Sequence, residues 1–243
     1  MDKSSSTDIP LGDQRHAWND WNAKTREHSQ GEASKRQAAQ VERWLRALNR
    51  QDLELIDVGC GAGWMCGRLL PFGRVCGTDL ADDVLKRAQQ RLPDVRFVAG
   101  DYMSIDFGSA SFDVVVSLEV LSHVADQAAF LAKIARLLRP GGYLMLATQN
   151  RPILERWSAI GRPTLGQIRR WVDAPGLKKL LEGRFKIERL TSVLPVGDEG
   201  YLRLVNSVKV NRLLDALFGR ERVEKIKESL LLGHTLMVLA RRV

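Results

Sequence analysis

Three glycines at alternate positions, Gly59, Gly61 and Gly63, follow the apolar run Leu53–Val58, which carries Asp57 as its penultimate residue. A glycine-rich turn after a strand lets a ligand approach the backbone closely, so the spacing has to say which ligand. A dinucleotide fingerprint needs Gly-x-Gly-x-x-Gly to bring amides against a pyrophosphate. Here Trp64 stands where the third glycine would be. No Gly-Lys-Ser/Thr follows either, which excludes a triphosphate loop. The pattern suits a compact ligand end carrying both charges of an amino acid, with Asp57 receiving its ammonium directly or through water.

The elements that would carry this loop alternate regularly. Leu53–Val58, Arg74–Thr78, Val95–Ala99, Phe112–Ser117 and Tyr143–Thr148 read as short apolar strands. The run Val114-Val115-Val116 is expected of a strand buried on both faces. Helical stretches over Trp64–Leu70, Ala81–Arg91 and Gln127–Leu138 lie between them, the last expected to stop at Pro140-Gly141-Gly142. Asp82 and Asp83 fall in the first turn of the second, where the helix dipole favours them. Such alternation predicts an α/β, doubly wound Rossmann-like sheet. A helix over Ala33–Leu48 precedes the first strand. Later, a helical stretch at Leu165–Leu181 leads to strand-like Phe185–Val193 and His234–Ala240. These two close the sheet as an antiparallel pair, giving seven strands, mostly parallel. Residues 195–233, read as helices Tyr201–Phe218 and Glu221–Leu231, form an insertion expected to be a substrate lid. Residues 1–32 form an N-terminal arm, disordered over 1–13, ahead of one domain at 33–243. Trp18 and Trp21 share a face if the arm is helical, and either anchor it or cover a ligand.

The chain is an ordinary globular sequence, 44% hydrophobic and 27% charged. It shows neither a membrane-spanning run nor a secretion signal, and a cytoplasmic location is expected. Cys60, Cys66 and Cys76 match no zinc or disulfide framework and read as small buried residues. The net charge of +8 is uneven. Residues 151–243 hold 19 Lys and Arg against 10 Asp and Glu, leaving 18 against 19 in the first 150. That surplus fits an anionic substrate, a membrane surface or nucleic acid, or a merely solubilising face.

Leu55-Ile56-Asp57-Val58-Gly59-Cys60-Gly61-Ala62-Gly63 resembles the first motif of class I S-adenosylmethionine (SAM)-dependent methyltransferases. Gly77-Thr78-Asp79-Leu80 resembles the second, Ala99-Gly100-Asp101-Tyr102 the third, and Phe112–Val120 the fourth. Leu137–Leu144 resembles the segment before strand five. The likeness covers residues 50–150, and five segments in register make it specific. It implies SAM as cofactor and S-adenosylhomocysteine as product. It assigns Asp79 to the ribose hydroxyls, since one carboxylate accepts two donors. It places Asp101 at the adenine amino group, with Tyr102 and Met103 beside the ring. Gly59, Cys60, Gly61, Gly63, Leu80, Leu118 and Glu119 complete the implied cofactor site. Glu119 either meets the methionine end or caps the following turn.

The same resemblance puts the acceptor beyond strand four, near Glu119, Ser122 and His123. His123 is the candidate general base, because its unperturbed pKa lies near neutrality, although a packing or cofactor-side role is also open. The segment is similar to the Glu-Val-Leu-Glu-His-Val run of quinone-precursor O-methyltransferases, in some of which the acids and histidine hold a metal. Ser122 replaces the second glutamate, so a metal-independent reaction is expected. His16, His28 and His234 read as structural or exposed. The leading expectation is methyl transfer to an oxygen or nitrogen of a small metabolite, anionic or aromatic, by a monomer or homodimer. Peripheral membrane contact through a basic amphipathic helix at Tyr201–Phe218 stays open. RNA or protein methylation is disfavoured, because no RNA-binding module or aromatic-basic interleaving is present. A fold that binds partners without catalysis is the third reading.

Overall fold

The computed structural model describes residues 9–27, 30–157, 167–194 and 207–243. Seven strands form one sheet: β1 (Leu53–Val58), β2 (Gly73–Asp79), β3 (Arg96–Ala99), β4 (Phe112–Leu118), β5 (Leu138–Gln149), β6 (Phe185–Val193) and β7 (Thr235–Arg242). Their order is β3-β2-β1-β4-β5-β7-β6. The first five are parallel, and β7 runs antiparallel between β5 and β6.

Period-two alternation explains why these strands read as unbroken apolar runs. On one face Ile56, Val115, Leu144, Leu146, Leu236 and Val238 join one core. Their neighbours Leu55, Val114, Val116, Met145, Met237 and Leu239 join a second core on the other face. Residues pointing both ways are buried, so both parities are mostly apolar, with Asp57, Asp113 and Ser117 among the buried polar exceptions. Helix α2 (Glu32–Leu48) covers the second core with Ala38, Val41, Trp44 and Leu45, all at helical spacing. Helices α3 (Cys66–Leu69) and α4 (Asp82–Arg91) follow β1 and β2. Helix α5 (Gln127–Leu137) packs Phe130, Leu131 and Ile134 into the first core. Asp126 caps it, accepting from the Ala129 amide at 2.9 Å.

Several boundaries differ from those expected. Helix α5 ends at Leu137, and Leu138 already pairs with Phe112 as the start of β5. Arg139-Pro140-Gly141-Gly142 is therefore an irregularity within β5, where the register jumps to Val114 opposite Tyr143. A short helix not foreseen, α6 (Arg151–Trp157), follows β5. The helix expected from Leu165 is only α7 (Ala174–Leu181). Asp173 caps it through the Gly176 amide at 2.8 Å, and a proline occupies its first turn. Residues 167–172 are not helical, because their backbone bonds elsewhere: the Arg170 amide donates to Ser122 O at 2.7 Å.

Residues 11–13, expected to be disordered, are the first turn of helix α1 (Leu11–Trp21), which runs into a π-helical turn over Asn22–Arg26. In the insertion, α8 (Val208–Phe218) and α9 (Arg220–Ser229) are described, whereas Leu202, Arg203 and Val205 of the expected Tyr201–Phe218 helix lie outside the described residues. Helix α9 packs on β6, and the Arg36 guanidinium on α2 reaches Glu224 at 3.1 Å and Glu228 at 3.6 Å.

Candidate active site

The C-terminal ends of β1, β2 and β4 share one edge of the sheet, where their parallel register places the following turns side by side. A cavity of about 650 Å³ opens there, within the range of small-molecule sites.

Its floor is the glycine turn. Gly59 and Gly61 adopt φ of 78° and 52°, which L side chains rarely take. A Cβ on Gly59 would overlap Val120, and one on Gly61 would lie 2.7 Å from Asn22 Oδ1. Gly63 shares this conformation, at φ 75°, and its Cβ would meet the Phe97 ring at 2.8 Å. Asp79, at the end of β2, ties the turn down by accepting from the Gly61 amide at 2.7 Å and the Ala81 amide at 2.9 Å. Burial pushes its pKa up against the pull of these amides.

Of the implied cofactor residues, Gly59, Cys60, Gly61, Asp79, Leu80, Asp101, Tyr102, Met103, Leu118 and Glu119 all line this cavity. Asp57 and Gly63 do not. Asp57 is 2% exposed beneath the turn and accepts from the Cys66 thiol at 3.5 Å. Burial, opposed by that thiol and assisted by the charge of Asp79, raises its pKa to about 7. The Asp101 carboxylate turns its own loop, accepting from the Met103 amide at 3.0 Å and the Ser104 hydroxyl at 2.6 Å. Glu119 sits at φ 65°, and its Oε1 accepts from Gln37 Nε2 at 2.5 Å and Thr235 Oγ1 at 2.9 Å. It is thus held by α2 and β7 together.

The opposite wall brings in His123. Its Nδ1 lies 2.7 Å from Ile168 O, and since a carbonyl only accepts, Nδ1 carries the proton and Nε2 keeps its lone pair. Burial lowers the pKa against that hydrogen bond, and Arg169 lowers it further, so the ring is neutral at neutral pH. Trp18 presents an edge contact to His123 with ring centroids 4.8 Å apart, and Trp21 packs on Trp18 at 5.7 Å. Helix α1 is fastened over the cavity by Asn19 on Asp82 at 2.9 Å and, beyond the π-turn, by Glu27 on Arg87 at 2.9 Å. Leu11, Gln14, Trp18, Trp21 and Asn22 line it.

Residues missed in the sequence also face this space. Gln37, Thr235 and the Ile168 carbonyl have been described; His234, expected to be structural or exposed, lines the cavity as well. Gln37 alone left a signal, being a polar residue on the buried face of α2 beside Ala38 and Val41. No residue of 207–233, the described part of the expected lid, lines it. Among the described residues, no group of three or more His, Cys, Asp or Glu could hold a metal ion, and no helix is long and apolar enough to cross a membrane.

A methyltransferase-domain family matches residues 56–146. A ubiquinone biosynthesis O-methyltransferase of Maricaulis maris is 39% identical over 108 residues, covering 42% of each chain. The chain spans about half the length of the curated relatives it matches. Among solved structures, the N-methyltransferase NodS of Bradyrhizobium japonicum, in complex with S-adenosylhomocysteine, has a TM-score of 0.65 at 15% identity, covering 95% of this chain and 98% of that one. The 1,6-didemethyltoxoflavin-N1-methyltransferase of Burkholderia thailandensis, also with S-adenosylhomocysteine, has 0.63 at 21%, covering 96% and 88%. The fold is that of the class I SAM-dependent methyltransferases, whose cofactor is SAM, and residues 56–146 are similar to a methyltransferase-domain family.

The lining fits SAM, whose ammonium, ribose hydroxyls and adenine amino group are all donors and whose net charge is positive. Among the described residues, the charged groups in the lining are Asp79, Asp101, Glu119 and Asp126, with no Lys or Arg. Thr78 Oγ1 and Gln149 Oε1, buried on two lining residues, have no hydrogen-bond partner among the described residues.

Proposed function

We propose that the chain is a SAM-dependent methyltransferase acting on an oxygen or nitrogen of a small metabolite, with His123 as general base. The observation that carries this reading is that one cavity is lined both by the glycine turn with Asp79 and Asp101 and by the neutral His123. When bound, SAM supplies a methyl group on a sulfonium, an already activated leaving group. Asp79 accepts from the ribose hydroxyls, Asp101 from the adenine amino group, and Glu119 from the methionine ammonium. His123 takes the acceptor's proton at Nε2, while Ile168 O steadies the resulting imidazolium through Nδ1–H. Asp57 acts from below the turn rather than by contact.

The acceptor wall is aromatic and apolar, with Leu11, Trp18, Trp21, Val124 and Ile168, and the amides of Gln14 and Gln167 offer hydrogen bonds. This composition supports a neutral, planar acceptor over an anionic one, because the basic surplus of residues 151–243 brings no described Lys or Arg to the lining. Relatives named as O-methyltransferases and a structural neighbour named as an N-methyltransferase agree with either acceptor atom. A metal-free reaction is favoured by Ser122, a neutral hydroxyl on a fully buried residue, and by Glu119, already accepting from Gln37 and Thr235. The test is S-adenosylhomocysteine release with a panel of phenols, catechols and aromatic amines, with and without EDTA. Turnover that survives EDTA and falls at least about 100-fold in His123→Gln is expected. Full turnover in that variant removes the base, and loss of turnover in EDTA removes the metal-free reading.

A further inference from the structure

Lys133 on α5 lies outside every motif that the sequence singled out. Its Nζ donates to Met103 O at 2.9 Å and Ile105 O at 2.6 Å, and it lies 5.0 Å from the centroid of the Tyr102 ring. All three contacts fall on the loop between β3 and β4 that supplies Asp101, Tyr102 and Met103 to the cavity. The loop is otherwise held at Tyr102, whose ring packs on Phe107 and on Phe130 of α5, and at Ile105, which packs against the same core. The Asp101 carboxylate serves its own turn, the Tyr102 hydroxyl is buried without a partner among the described residues, and Met103 is 39% exposed. Helix α5, by contrast, is anchored by its Asp126 cap and by Phe130, Leu131 and Ile134 in the core.

We propose that Lys133 is a positioning residue for the cofactor's adenine end. Its ammonium ties the Met103 and Ile105 carbonyls of the Asp101–Ile105 loop to α5 and, together with the packing of the Tyr102 ring, fixes where the Asp101 carboxylate and that ring meet the ligand. An ammonium with three donors can hold two carbonyls at once, while its stem covers the ring face. This rests on the placement of SAM proposed above. Without the pin, the loop would have to be ordered at the moment of binding, at a cost in affinity.

The test is calorimetric titration of the full chain with S-adenosylhomocysteine, alongside amide exchange of residues 102–106 in the ligand-free protein. Lys133→Met keeps the stem and removes the donors; it should weaken binding about five- to ten-fold and speed exchange in the loop about ten-fold. Lys133→Arg, which retains donors, should bind within about two-fold of the parent. Parent-like affinity in Lys133→Met overturns the proposal. So does unchanged loop exchange in that variant, which would make any loss of affinity a general effect. Asp79→Ala, run beside them, separates the two levels: parent-like affinity there would overturn the placement of the cofactor itself.

Discussion

Asp57→Asn isolates a buried carboxyl whose pKa lies far above its ordinary value. The unfolded carboxyl titrates near 3.8, whereas in the fold burial and the charge of Asp79 raise it to about 7. Between these values the folded chain holds a proton that the unfolded chain has released, so stability falls as pH rises through the window. The full shift corresponds to roughly 4 kcal/mol, and the slope within the window to about 1.4 kcal/mol per pH unit. His123 and His234, both lowered by burial, act in the opposite sense: their contribution is complete above about 6.5 and declines as the pH falls below it. A difference between two proteins that share them cancels this. Asparagine is nearly isosteric and uncharged at every pH, and any penalty for burying its amide is independent of pH. Urea denaturation of the ligand-free chain at pH 5, 6, 7 and 8 should therefore show the stability difference moving in favour of Asp57→Asn by about 1.4 kcal/mol per unit from pH 5, flattening near 7. A constant offset across that range would refute the reasoning, because it would mean that Asp57 ionises alike in both states.

Three further outcomes follow from the site. Asp79→Ala should weaken S-adenosylhomocysteine binding at least about ten-fold by calorimetry, since it removes an acceptor and releases the Gly61 and Ala81 amides. The acidic limb of the kcat/KM profile should lie below the ordinary histidine range, because burial lowers His123, and the limb should vanish in His123→Gln; an unchanged limb assigns it elsewhere. Gly61→Ala should cost about 1–2 kcal/mol in denaturant, from a left-handed φ and the approach to Asn22, and should change the fluorescence of Trp18 and Trp21.

The strands and the glycine turn were legible because their signals are local. Alternate burial on two faces makes Val114-Val115-Val116 apolar throughout, and positive φ at Gly59 and Gly61 demands glycine. The boundaries that slipped were governed by long-range pairing: Leu138 leaves its helix to pair with Phe112, and residues 167–172 give their backbone to the turn at Ser122. The start of α1 has few apolar residues and so little helical signal, yet Trp18 further along it packs on His123. The His123 partner is a backbone carbonyl, which carries no residue-type signal at all. Gln37 and Thr235 lie 82 and 116 positions from Glu119 in the chain, so no local pattern could join them.

That clamp on Glu119 also sets an order of events during biosynthesis. Thr235 opens β7, which follows the other six strands in sequence yet lies between β5 and β6. While the nascent chain emerges, the glycine turn, Asp79 and Asp101 can be in place long before Glu119 has its second donor. A ribosome-bound chain stopped short of Thr235 would carry Asp79 and Asp101, the proposed ribose and adenine contacts, without the second donor that holds Glu119. Ligand affinity should then arrive in a late, single step as the final strand inserts, and the ligand would act as a latch on the completed sheet rather than as a template for its beginning.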